Sequence, residues 1–215
     1  MSKIKYYITD VFTQTPFGGN PLAVFLDADA LSTKLMQQIA REMNLSETVF
    51  VCNSLDKNAW AKLRIFTTEE ELPFAGHPNV GTAAVLYSDG ILPPDIQSSD
   101  TSFISYFDEK VGKVGIALKK DNSGVFTSLT TAVPAMLLEG ILDKQAYAQM
   151  LGLSDTDFDA QVPTHLGNAG LDFGLVVLNS REALKKAKIN YALWEKQLAG
   201  IKGKFTYLVY VDQVK

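Results

Sequence analysis

LPFAGHPNVGTAAVLY, residues 72–87, runs from a Pro-Phe loop through the only Gly-His-Pro of the chain into a stretch of small and apolar residues. Pro78 suits the first turn of a helix, where its missing N–H would have no intrahelical partner in any case. Beyond it Val80, Ala83, Ala84, Val85, Leu86 and Tyr87 place apolar surface around nearly the whole circumference. A helix that is apolar on every side is an enclosed one. Gly81 within it lets another part of the backbone come close. The reading is a central helix with the rest of a lobe wrapped around it, and His77 at its mouth.

A chain of 215 residues with 47% hydrophobic composition can bury a real core, as one globular unit or two small lobes. The net charge is −4, with Lys/Arg and Asp/Glu evenly mixed, so there is no basic stripe to meet a phosphate backbone. Nucleic acid is excluded as the expected partner. No apolar run approaches the roughly 20 residues that span a bilayer, and residues 1–10 lack the pattern of a secretory signal. The expectation is a cytoplasmic protein with no membrane partner. The single cysteine, Cys52, excludes an intrachain disulfide framework and a Cys-rich zinc site. With His77 and His165 the only histidines, a multi-histidine metal centre is disfavoured, so no metal is expected.

Before the central helix, KIKYYITDVFT (residues 3–13) and AVFL after the Gly-Gly-Asn-Pro turn read as two strands joined by a loop. Ser32 caps a helix whose apolar stripe is Leu35, Met36, Ile39, Ala40 and Met43, ending at Asn44-Leu45. SETVFVC and AKLRIF read as neighbouring strands. After residues 72–87, strand-like runs follow at 102–107, 110–118 and 124–129, and the first lobe is expected to close near Leu118, giving lobes 1–118 and 119–215. In the second half a helix is predicted over 143–151, strands near 157–162 and 172–179, a helical region capped by Ser180 and ending near Leu198, and a last strand over 205–211.

The two halves share an element order of strand, capped helix, strand. The spacing from Phe25 to His77, counted on from Val177, runs past Lys215, so the second half is expected to lack a strand and an enclosed helix of its own.

Two residues stand out chemically. His77 sits where free N–H groups and the helix dipole favour an anion such as a carboxylate, and the same positive end favours the neutral ring. The bland reading is a loop histidine satisfied by backbone; Gly76 and Pro78 on either side favour a binding role. Glu47 shares a strand face with Val49 and Val51, an odd position for a carboxylate unless it faces a cleft. Such an acid would have a raised pKa and could move protons near neutrality; the alternative is a solvated glutamate at a strand edge. Asn20, in GGNP, is most simply a turn residue. Glu69, Glu70 and Glu71 read as a solvated loop, and Cys52 as a small core residue.

DVFTQTPFGGNPLAVF (10–25), IAREMNLSETVFV (39–51) and RIFTTEEELPFAGHPNVGTA (64–83) together resemble the phenazine-biosynthesis-like (PhzF-like) isomerase family in order and spacing. The likeness is looser through GNAGLDFGLVVLNS. The resemblance implies an α+β, diaminopimelate-epimerase-like fold of two lobes, each a curved sheet around a central helix, with the active site in the cleft between them. It implies a cofactor-independent isomerase that moves a proton on a small carboxylate-bearing substrate. Glu47 matches the family's general acid/base. His77 and Gly76 match its substrate contacts, Gly170 a backbone contact from the other lobe, and Asn20 is kept among the candidate substrate-binding residues. The chain departs from the family in having no Asp-Pro-Ala-Thr-Gly-Ser stretch, which supplies an aspartate and a serine to the same cleft. That leaves a second expectation beside the isomerase: a catalytically inactive shortened paralogue, or a fragment, acting as a binding module. Two-thiol epimerase chemistry is excluded by the single cysteine. An incomplete second lobe would expose Leu208 and Tyr210, so a homodimer is expected.

Overall fold

Residues 76–88 do form a helix, α2 (Gly76–Ser88), with Asn79, Thr82, Ala83 and Leu86 wholly buried. It lies against a curled sheet of β1 (Tyr6–Val11), β2 (Asn20–Phe25), β3 (Glu47–Cys52), β4 (Ala61–Phe66), β6 (Ser102–Glu109), β7 (Gly112–Asp121) and β8 (Gly124–Thr131), hydrogen-bonded in that order, with the short β5 (Glu71–Leu72) beside β4. The helix touches both edge strands, β1 and β8, as well as β2, β3 and β7. One strip remains open: Val80, Gly81 and Ala84 line a groove of about 590 Å³ between β1 and β8. Enclosure is therefore nearly, not wholly, complete. What comes close to Gly81 is side chain rather than backbone, since a Cβ there would meet Val11 Cγ2 at 2.6 Å and Leu22 Cδ2 at 2.7 Å.

The computed structural model describes residues 3–131, 136–141, 143–169, 172–198 and 205–212, and the chain divides into units Met1–Val133 and Pro134–Lys215. The first unit extends past Leu118 because β8 folds back on β7, with Asp121 opposite Gly124 across a turn in which Ser123 N donates to Asp121 Oδ1. On the sheet face away from α2 lies α1 (Thr33–Met43). Ser32 Oγ accepts from Leu35 N at its start, and Asn44, in the left-handed region at φ 52°, ends it. Met36 and Ala40 pack there with Phe25, Phe50, Cys52 and Phe66, so Cys52 is the core residue expected.

The second unit holds β9 (Met136–Ile141), α3 (Lys144–Leu151), β10 (His165–Asn168), β11 (Asp172–Val177), α4 (Arg181–Lys186), α5 (Tyr191–Leu198) and β12 (Phe205–Val209), with sheet order β12-β11-β10-β9. Its core gathers Tyr147, Met150, Leu151, Phe158, Val176, Leu178 and Ala183. In place of a strand over 157–162 there is a 3-10 turn at Asp155–Asp157 and a lone bridge from Phe158 to Leu178. The helical region after Ser180 is two helices. Lys188 N and Asn190 N bond to Leu151 O and Met150 O, drawing the backbone off the helical path onto the end of α3. Leu208 is not exposed: it packs against this core, and Tyr210 is half-buried.

The repeat read from element order has a counterpart in the topology. In the first unit β2 leads through α1 to a parallel β3, and in the second β11 leads through α4 and α5 to a parallel β12. In each, the first strand of that pair is also antiparallel to the strand before it. Among the described residues no helix is long and apolar enough to cross a membrane.

Candidate active site at the mouth of helix α2

Side chains alternate along β3, and Phe50 and Cys52 belong to the core beneath α1. Glu47, Val49 and Val51 therefore face α2. Glu47 begins the strand, beside Leu22 of the parallel β2, with its side chain 19% exposed. Ala75 is the N-cap of α2, making Gly76 and His77 the first two helical residues. At the start of a helix the amides have no carbonyl four residues back, so Gly76 N–H and His77 N–H are free to meet a ligand.

His77 Nδ1 lies 3.6 Å from Glu47 Oε2, beyond ordinary hydrogen-bond length. Glu47 Oε2 and His77 Nε2 are both buried without a hydrogen-bond partner. Burial lowers the His77 pKa below its ordinary value, and the nearby Glu47 charge offsets part of that. The ring is thus favoured as neutral, as the sequence reading expected, with desolvation the leading cause. Phe12, exposed and at φ 64°, brings its ring centroid to 6.5 Å from the His77 ring and forms a wall that sequence reasoning missed. A Cβ on Gly76 would touch only Leu129 Cδ1, at 3.8 Å, so packing does not require glycine there and the space beside the amides stays open.

Asn20 is not in a turn. It begins β2 opposite Val11, and its Oδ1 accepts from Ser46 Oγ at 3.3 Å, which tethers it to the residue before Glu47. Gly170 lies outside the described residues. The acidic run needs a correction at Glu71, which is not solvated. Its carboxylate takes a bidentate pair from Arg64 at 2.8 and 2.9 Å and a third bond from Lys110 at 2.9 Å. Glu109 and Asn79 are among the buried polar groups that were not singled out. The signal for Glu109 was present: it continues the alternation Phe103, Ser105, Phe107 on the buried side of β6.

A glutamate and a neutral histidine held at a helix mouth can serve proton transfer beside a bound acid, and comparison with known proteins places the chain. The model of the phenazine biosynthesis-like protein family matches residues 9–210. The chain belongs to that family. It is 37% identical to an uncharacterized isomerase of Pasteurella multocida over 97% of this chain and 65% of the relative. It is 36% identical to the trans-2,3-dihydro-3-hydroxyanthranilate isomerase of Pseudomonas fluorescens over 83% of this chain and 60% of the relative. Among solved structures, one described as a predicted epimerase from Pseudomonas aeruginosa superposes with a TM-score of 0.78 at 30% identity, covering 96% of this chain and 70% of that one. The α+β epimerase-like fold is thus the one found. The chain spans less than two thirds of the length of these two curated relatives.

Proposed function

We propose that the chain is a phenazine biosynthesis-like isomerase, working without a cofactor in a reducing, cytoplasmic compartment, that moves a proton on a small unsaturated carboxylic acid. The reading rests above all on the facing of Glu47 and His77, each with a buried, unpartnered polar atom, at the open amides of α2. The substrate carboxylate sits at the Gly76 and His77 N–H groups, where the helix end favours an anion. The neutral His77 ring hydrogen-bonds the bound acid and fixes its orientation, with Asn20 as a further contact. The Glu47 carboxylate removes a proton from carbon, becoming a carboxylic acid while the electron pair spreads along the conjugated system. It then returns the proton to the far end of that system, which shifts the double bond and regenerates the carboxylate. A homodimer is part of this reading, supported by the apolar open face of the second sheet.

The test is product formation from trans-2,3-dihydro-3-hydroxyanthranilate, the compound in the name of the Pseudomonas fluorescens relative, followed by chromatography. Turnover by the wild-type chain, cut on the order of a hundredfold or more in Glu47→Gln, supports the isomerase. Saturable binding of the acid without turnover moves the reading to the binding module.

A further inference from the structure

The groove between β1 and β8 opens α2 to solvent as far as Val80, three residues past His77, and its wall includes Phe12 but not His77. His77 itself is only 9% exposed, although it stands in the first turn of the helix and its Nε2 has no hydrogen-bond partner. Phe12 belongs to both places. Its ring centroid lies 6.5 Å from that of the imidazole, with the planes tilted by 57°, within the range of aromatic pairs.

Folding alone gives no reason for a phenylalanine at position 12. The side chain is 75% exposed, and the backbone at φ 64° is in the left-handed region, where a bulky residue is an outlier. Such a conformation persists only where its surroundings hold it, and it gathers at functional sites. Here the loop back to β2 does the holding. Phe17 N donates to Asp10 Oδ2 at 2.8 Å, Thr15 N to Thr13 Oγ1 at 3.0 Å, and Gly18 N to Thr15 O at 3.1 Å. Gly19 then passes so near β1 that a Cβ on it would meet Val11 O at 2.3 Å. We propose that Phe12 is a positioning residue for His77: held by this loop, its ring walls the imidazole off from the groove and keeps water out of the α2 mouth.

Water exclusion is then the leading reason that His77 stays neutral, because the charges around it do not supply one. Among the strands packed on α2, the charged groups are Glu47 of β3, Asp10 of β1, and Lys113, Lys119, Lys120 and Asp121 of β7, the last four exposed; β2 and β8 carry none. Asp10 is occupied by the Phe17 amide, Tyr7 of β1 bonds Asp89 at the far end of the helix, and Glu109 of β6 has Asn79 as its polar neighbour. Glu47 is left as the charge acting on the ring, and it favours the imidazolium, against the effect of burial. The helix end also disfavours the imidazolium, but no substitution at Phe12 removes it. The wall is a claim about structure that stands without the isomerase reading, whereas any effect of Phe12 on turnover rests on that reading.

The test compares Phe12→Gly, which suits the left-handed backbone and removes the ring, with Phe17→Gly, which eases the same kind of backbone, at φ 63°, on a residue 98% exposed. Phe12→Tyr keeps a ring in place. The His77 titration is followed by NMR, with His77→Gln to tell its signal from that of His165, the other histidine. Wild type, Phe17→Gly and Phe12→Tyr should share one midpoint below 6.5, and in Phe12→Gly the midpoint should rise to 6.5 or above as water reaches the ring. An unmoved midpoint in Phe12→Gly overturns the proposal, as does a wild-type midpoint that is already at 6.5 or above. So does a Phe12→Gly chain that fails to fold, because the ring would then serve the core rather than the mouth. None of these readouts needs turnover, so a chain that converts no substrate but whose His77 answers to Phe12 would sink the isomerase reading and leave the wall standing.

Discussion

The Glu47 carboxyl on β3 and the His77 imidazole on the tip of α2 face each other at 3.6 Å on the helix-facing side of the first sheet. One residue is fixed by strand register and the other by the start of a helix, so their separation is set by packing and not by a bond between them. Replacing Glu47 by Gln keeps the shape and removes the group proposed as the base. The expected outcome is a loss of turnover on the order of a hundred- to ten-thousand-fold. The unfolding free energy should change by less than about 1 kcal/mol, because Glu47 Oε2 has no hydrogen-bond donor to lose. Steady-state kinetics with parallel urea titrations check both halves.

His77 gives a pH dependence of definite sign. Its folded pKa lies below the unfolded value of 6.5, so as pH falls below 6.5 the unfolded chain takes up a proton that the folded one resists. Stability contributed by this group is full above 6.5 and declines as pH drops toward the folded pKa. His77→Gln should remove that part of the slope. The difference in urea midpoint between wild type and variant, measured from pH 7.5 to pH 5, is expected to change steadily in favour of the variant. A constant difference would contradict the buried, neutral ring.

The central helix, α1 with its cap, and nearly every strand of the first unit were legible because burial there follows simple periods. Phe103, Ser105 and Phe107 alternate, Met36 and Ala40 share a stripe, and residues 76–88 are apolar all around. The Glu47–His77 pair was legible through motif spacing. Other features depend on partners distant in sequence. Glu71 looks solvated until Arg64 and Lys110 are seen to reach it. The break between α4 and α5 is made by carbonyls of α3, some forty residues earlier. Strand β10, His165–Asn168, is only four residues long and carries a glycine, so its pattern is too short to declare itself.

Gly81 tests how closely the sheet grips α2. Alanine would raise intrinsic helix stability by up to about 1 kcal/mol. Its methyl group, however, meets Val11 Cγ2 and Leu22 Cδ2 below 3.0 Å, and Leu22 is wholly buried. Overpacking of that kind costs about 1–3 kcal/mol, so Gly81→Ala is expected to be net destabilising. A lower urea midpoint with an unchanged denaturant slope is the expected result. A stabilised variant would show that β1 and β2 yield readily.

The Arg64–Glu71 pair should behave as a buried ion pair. Burial raises the Glu71 pKa, but bonds from Arg64 and Lys110 more than offset it and hold the carboxylate below its ordinary 4.5. A depressed carboxylate contributes stability above its unfolded pKa and loses it as pH falls through the folded one. Glu71→Gln is therefore expected to cost about 1–3 kcal/mol at pH 7. Below pH 4.5 the gap to wild type should close. Thermal melts at pH 7 and pH 3.5 test this, and an equal gap at both would mean the loss is one of packing alone.

The second sheet carries the prediction on self-association. Register places Leu137, Gly167, Phe173 and Phe205 in one row across the sheet, His165, Leu175 and Tyr207 in the next, and Val177 and Val209 in a third. The core of that unit takes the opposite face, through Val176 and Leu208. Among the described residues, Leu137 is 68% and Tyr207 59% exposed, and a shallow groove of about 190 Å³ lies beside Leu137, Phe173 and Leu175. A largely apolar, partly exposed face favours being covered, at about 25 cal/mol per Å² of apolar area removed from water. Tyr207, not the Leu208 that sequence reasoning named, is the residue to change, since Tyr207→Lys charges the open face and leaves the core untouched. Wild-type chain should scatter light as a dimer, and Tyr207→Lys should shift the mass toward one chain. A wild-type mass of one chain at micromolar concentration would sink the dimer.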